Sequence, residues 1–159
     1  MNTPHRLLVM AILCLSGGLI FTLPFLREVY YEPMRDAFDF ERIDLPLDLV
    51  LREAERCGGI AVPCHPGRPT VGMCAHYQER GAVQGVRVVE TRNGGSRQGE
   101  DDAAQALAEE FGYLGIGGSD APLVSQIGRC ATRFEEAIEN EDDLVRALRS
   151  GKFEAIAWT

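Results

Sequence analysis

Apolar and polar positions along the chain fall into short blocks that read as helix, turn, strand and polar loop. The most regular block opens at Asp44-Leu-Pro46, where an aspartate followed by a proline suits a helix start. Leu47, Val50, Leu51 and Ala54 then recur at helical spacing, and Gly58-Gly59 closes the helix. Ile60-Ala-Val-Pro-Cys64 follows as a short apolar strand, and His65-Pro-Gly-Arg68 as a polar loop. The same order repeats. Val71 to Arg80 reads as a short helix, and Gly85-Val-Arg-Val-Val-Glu90 as a strand that ends in Thr91-Arg-Asn-Gly94. Asp101 to Phe111 is a helix with acids in its first turn, where the helix dipole favours them, and Gly112 lies just past its end. Leu114-Gly-Ile116 is a strand running into Gly117-Gly-Ser-Asp120. Asn140 caps a last helix that carries Glu141, Asp142 and Asp143 in its first turn and stops at Gly151, and Glu154 to Trp158 forms a final strand. Alternation of this kind predicts an α/β fold.

The first 34 residues stand apart from this pattern. From Leu7 to Leu26 no residue is charged, a run long enough to cross a bilayer, with His5 and Arg6 before it and Arg27 after it. Gly17, Gly18 and Pro24 interrupt the run, which equally suits a buried strand, a glycine turn and a second buried segment. Two regions are therefore expected: 1–34, an apolar segment of buried strands, self-associating, anchored in a membrane or acting as a leader, and 35–159, the α/β domain. A cytoplasmic protein is the expectation, with membrane anchoring through 7–26 as the alternative.

Composition narrows the function. The chain has 159 residues, room for one ordinary domain, and 24 acids against 16 bases give a net charge of −8. Lys152 is its one lysine and there is no basic run, so non-specific nucleic-acid binding is not expected. The five cysteines (Cys14, Cys57, Cys64, Cys74 and Cys130) contain no CxxC pair, which argues against a zinc ribbon, a thioredoxin motif or a disulfide scaffold.

Polar residues cluster just after three of the expected strands: His65 and Arg68, then Glu90 and Asn93, then Ser119 and Asp120. In parallel α/β sheets the carboxyl ends of the strands share one face, so these groups can converge. One His, two carboxylates, an Arg and an Asn suit metal-assisted phosphate chemistry: the His and carboxylates as ligands of a divalent ion, the Arg as a phosphate partner. Each also has an ordinary role. His65 could be a loop residue, Asp120 a turn cap, Glu90 a strand-end ion-pair partner and Arg68 a solvated base. His76, beside Cys74 in a helical stretch, reads as structural.

These segments resemble a known family. His65-Pro-Gly-Arg68 after an apolar strand is similar to the Ala-His-Pro-x-Arg segment of PHP (polymerase and histidinol phosphatase) domains. Val89-Glu-Thr-Arg-Asn-Gly94 resembles the family's Val-Glu-x-x-Asn segment. Gly117-Gly-Ser-Asp120-Ala121, then Ile127-Gly128 and Thr132-x-Phe134, resembles its Gly-Gly-Ser-Asp-Ala-His…Val-Gly…Thr-x-Phe block. The run from Glu141 to Gly151 looks like its C-terminal helix. The resemblance covers roughly residues 40 to 157 and implies the second half of a distorted (β/α)7, TIM-like barrel. It also implies a metal-dependent phosphoesterase in which a metal-activated water attacks a phosphate ester. On that template His65 and Asp120 match metal ligands, Arg68 and Asn93 sit where substrate would bind, and Glu90 and Ser119 would line the site. The implied cofactors are divalent ions (Mn, Fe, Zn or Mg). The implied ligand is a phosphorylated small molecule or a nucleotide.

The chain also departs from the template. Its three histidines, His5, His65 and His76, include no His-x-His pair, and residue 122 is Pro where the last motif reads Asp-x-His. Two of the usual metal ligands remain by motif match, against at least three in a catalytic site. The alternative expectation is therefore an inactive PHP-like remnant that serves as a binding or structural module.

Overall fold

The structure, a computed structural model, describes residues 47–158. The expectations for the run from Leu7 to Leu26, for the division at residue 34 and for the helix start at Asp44-Leu-Pro46 lie outside the described residues. Among the described residues no helix is long and apolar enough to cross a membrane.

The elements run α1 (Leu47–Arg56), a 3₁₀ turn (Met73–Ala75), α2 (Tyr77–Arg80), β1 (Val88–Asn93), α3 (Glu100–Phe111) and β2 (Leu114–Gly118). A second 3₁₀ turn (Val124–Gln126), β3 (Cys130–Phe134), α4 (Glu141–Ser150) and β4 (Phe153–Ala157) complete the order. β1 and β2 pair in parallel, and β3 and β4 pair antiparallel. The fold is therefore mixed α/β, with two two-stranded sheets. The described residues form no closed barrel.

α1 buries Leu51 and lays its charged residues along the solvent side, Arg52 on Asp48 and Arg56 on Glu53. Gly58 ends it at φ 78°, and the Gly59 N–H donates back to the Ala54 carbonyl, a left-handed stop that glycine adopts without strain. β1 is covered on both faces, Val88 and Val89 having no exposure, as a strand between other layers requires. α3 packs on it through Ala104, Leu107 and Ala108. Leu51, Val86, Val89 and Ala108 form the central cluster, with Ala61, Met73, Val83 and Tyr113 around it.

The two sheets pack against each other, and one side chain hydrogen-bonds across the seam. Thr132 Oγ1 accepts from the Gly117 N–H at 3.0 Å and donates to the Gly117 carbonyl at 2.9 Å. The approach is so close that a Cβ on Gly117 would lie 2.3 Å from the Ala131 carbonyl oxygen.

Several elements differ from the sequence pattern, β1 among them: it begins three residues later than expected, at Val88, and runs on to Asn93. Residues 60–64 form no strand. They run beside β1 with one ladder-like bond, Glu90 N–H to the Pro63 carbonyl at 3.1 Å, and Pro63 has no N–H with which to continue a ladder. The helix expected over 71–80 divides into the 3₁₀ turn and the single turn α2. β2 extends two glycines further than expected, and the last strand begins one residue earlier, at Phe153. β3 was not expected as a strand: Cys130-Ala-Thr-Arg-Phe134 is too short and too mixed to show a period.

Candidate functional site

The loop after residue 64 is nested rather than open. His65 takes a left-handed backbone, φ 35°, and Pro66 is among the fully buried side chains. The Arg68 N–H donates to the His65 carbonyl and the Cys74 N–H to the Pro66 carbonyl. Gly67 passes against the first residue of α3, where a Cβ would fall 1.9 Å from the Glu100 carbonyl oxygen. The chain can therefore turn back on itself here only with glycine at 67, and the turn presents His65 and Arg68 to the ends of β1 and β2.

β1 delivers Glu90 and Asn93 to the same place. Glu90 is 7% exposed and Asn93 5%. Glu90 Oε2 accepts from the His65 N–H at 2.7 Å and from Asn93 Nδ2 at 2.9 Å. Asn93 Oδ1 in turn accepts from the Gly95 N–H at 2.8 Å. The register shift between Glu90 and Arg92 marks an irregularity of the kind that re-aims side chains near sites. At the end of β2, Asp120 also has a left-handed backbone, φ 42°, and its Oδ2 pairs with Arg68 at 3.0 Å, both side chains about one-third exposed. The Gly94 N–H donates to the Gly118 carbonyl at 2.9 Å, and a Cβ on Gly94 would lie 2.5 Å from the Ser119 carbonyl, so the two strand ends close on each other.

His65, Arg68, Glu90, Asn93 and Asp120, drawn from three separate stretches of sequence, thus gather at the carboxyl ends of β1 and β2, with Ser119 beside them. His76 stands apart, its Nε2 3.1 Å from the Thr70 carbonyl oxygen. Sequence reasoning missed Asp101, which accepts the Asn93 N–H at 3.2 Å, and Glu100, whose charge reaches His65. Both stand in the first turn of the helix that follows a motif-bearing strand, and that position was the available signal.

Burial holds the His65 imidazole below its usual pKa. Arg68 adds to the effect, while Asp120 and Glu100 oppose it. Burial likewise pushes Glu90 above the ordinary carboxylate value, against the hydrogen bonds from Asn93 and the His65 N–H and with the help of Asp120 and Asp101. The arrangement thus favours a neutral imidazole, the form that can ligate a metal or accept a proton.

Donor chemistry tests whether a catalytic metal fits. Such a site takes about three protein ligands and keeps one position open. Among the described residues no group of three or more His, Cys, Asp or Glu side chains could hold a metal ion. The carboxylates that the motifs supply are engaged with protein partners, Asp120 with Arg68 and Glu90 with Asn93 and the His65 backbone. By themselves these donors do not make a catalytic metal centre.

Residues 100–153 match the family model described as PHP-associated. The match runs from the start of α3 to the first residue of β4. It contains Ser119 and Asp120, and His65, Arg68, Glu90 and Asn93 precede it. It bears out the resemblance to the C-terminal portion of PHP domains. No curated protein and no solved structure matches the chain.

Proposed function

We propose that the chain carries part of a PHP-type phosphoester site, and that residues 47–158 on their own bind at this site without hydrolysing. The ligand class is a phosphorylated small molecule or a nucleotide. One observation carries the reading. Five side chains from three stretches meet at one pair of strand ends, and there the carboxylates are satisfied by Arg68, Asn93 and a backbone N–H. The PHP-associated match over 100–153 supports the phosphoester assignment. Arg68 would turn from Asp120 to an incoming phosphate, with Asn93 braced beside it. In the parent fold the two strand ends would belong to the second half of the distorted barrel.

A second reading, a working metal-dependent phosphohydrolase, is favoured by the local surplus of acid. Asp120 and Glu100 act on the His65 imidazole and Asp101 lies behind Asn93, so a divalent cation such as Mn, Fe, Zn or Mg would need a further ligand beyond those that the described residues supply. His65 and Asp120 are the residues it would use.

Metal content and turnover on the purified full chain separate the two readings. Elemental analysis should find metal well below one ion per chain, and aryl phosphate monoesters and diesters should be hydrolysed no faster than in buffer. Stoichiometric metal, together with turnover that His65→Ala abolishes, would reverse the order of the two readings.

A further inference from the structure

The geometry points to Glu90 as a positioning residue: with Asn93 it holds the His65 backbone in its left-handed conformation and sets His65 and Asp120 against one another. Two left-handed non-glycine residues face each other across this site, His65 at φ 35° and Asp120 at φ 42°. Such a backbone costs free energy and persists only where its surroundings over-determine it. At His65 the determining contact is the N–H donated to Glu90 Oε2 at 2.7 Å. The same oxygen takes Asn93 Nδ2 at 2.9 Å, so it is shared between two donors. Asn93 carries the constraint onward through Oδ1 to the Gly95 N–H at 2.8 Å. Gly95 is the seat of Asp120: a Cβ there would lie 2.9 Å from Asp120 Oδ2 and 3.3 Å from Asn93 Oδ1. The path from the His65 backbone through Glu90, Asn93 and Gly95 to the Asp120 carboxylate is thus continuous.

The place of Glu90 is itself carved out. A Cβ on Gly118, the last residue of β2, would stand 2.4 Å from Glu90 Oε1. The carboxyl group fits because β2 ends in two glycines. An acceptor with one oxygen filled by two donors and the other against a strand backbone is built to hold geometry. Glu90 therefore acts through His65 and Asn93 and does not itself touch a ligand. The inference rests on the strand-end reading only for the importance of the His65–Asp120 pair.

The chain has only three histidines, so imidazole NMR on the full-length, histidine-labelled protein reads His65 directly, with His76 as an internal reference. Glu90→Gln keeps an acceptor oxygen in place and should leave the His65 cross-peak where it is. Glu90→Ala should shift the peak or broaden it away while the His76 peak stays. A folded Glu90→Ala protein with an unmoved His65 peak overturns the proposal. So does a Glu90→Gln protein that disturbs His65 as much as Glu90→Ala does, since a role for charge or for ligation would lose function in Gln whereas a positioning role would not. If Glu90→Ala does not fold, Asn93→Asp decides. It keeps the acceptor for Gly95 and removes the donor to Glu90, so the His65 peak must move, and an unmoved peak overturns the proposal. None of these readouts needs metal or turnover, so failure of the phosphoester reading would leave them standing, and the reverse holds as well.

Discussion

At the carboxyl ends of β1 and β2, Glu90 and Asn93 are 7% and 5% exposed, and their bonds tie together loops that lie 25 residues apart in sequence. On the β3–β4 ribbon Arg133 faces Glu154, and just beyond its strands Lys152 faces Glu136, with more than half of every side chain in water. Both regions are rich in charge, and both bring opposite charges together. Water separates them. A buried acceptor that loses its partner pays the full cost of desolvation, whereas an exposed pair is replaced by hydration at little net change. The strand-end side should therefore be brittle towards single substitutions and the ribbon tolerant, and four substitutions test this in descending order of effect.

Gly67→Ala should hurt most. The new Cβ would fall 1.9 Å from the Glu100 carbonyl oxygen, a backbone atom in the first turn of α3 that cannot swing aside. Overpacking against a fixed neighbour costs about 3 kcal/mol at the upper end of its usual range. Urea unfolding would show this as a large drop in the midpoint. A change under ~0.5 kcal/mol would mean that the loop can open, and the contrast between the two sides would then lose its firmest support.

Thr132→Val comes next because it removes the side-chain hydrogen bonds that cross the seam between the two sheets. The Gly117 N–H and carbonyl both lose their bond to Oγ1, at 3.0 and 2.9 Å, inside a half-buried seam. The expected loss is about 2 kcal/mol, and Thr132→Ser should return most of it by restoring the hydroxyl. Equal losses in both variants would assign the effect to methyl packing instead.

The helix ends were easy to read. Asn140, three acids and Gly151 define α4 by local chemistry alone, and the structure places Asn140 as its N-cap, its side chain accepting the Asp143 N–H at 2.9 Å, with Gly151 at φ 76°. The changes from apolar to polar positions at His65, Glu90 and Asp120 were legible as well, although residues 60–64 form no strand and Glu90 lies within β1 rather than at its end. Pairing was not legible. Whether Cys130–Phe134 meets Phe153–Ala157 depends on partners about 20 residues away, and nothing in either five-residue segment states it. Residues 60–64 misled because a run of apolar residues marks burial, and only the missing N–H of Pro63 hinted that a ladder would not form. The link from Glu90 to the His65 backbone was hidden as well, because it depends on a left-handed φ at a non-glycine residue.

Asn140→Ala sharpens the comparison from the ribbon side, since α4 connects β3 to β4. Its cap bond is a single exposed side-chain acceptor, and its loss should cost about 1 kcal/mol, read as reduced helix protection in hydrogen exchange confined to the first turn of α4. Spread of that loss into β1 would show that the two regions are more tightly coupled than the Thr132 link implies.

Arg133→Ala should do least, although it removes a charged partner from a cross-strand pair. Arg133 and Glu154 stand directly opposite in the β3–β4 register and form an ion pair, but their side chains are 65% and 56% exposed. Cross-strand charge pairs contribute a few tenths of a kcal/mol to about 1 kcal/mol, and the access of salt and water to this one puts it at the low end. The neighbouring Phe134–Phe153 pair, with ring centroids 5.9 Å apart, remains to hold the two strands in register. The expected change is under ~0.5 kcal/mol, and raising the salt should shrink the difference between wild type and variant further. A loss above ~1.5 kcal/mol that persists in high salt would show that the guanidinium organises the ribbon as Glu90 organises the strand ends, and exposure would then cease to be what distinguishes the two regions.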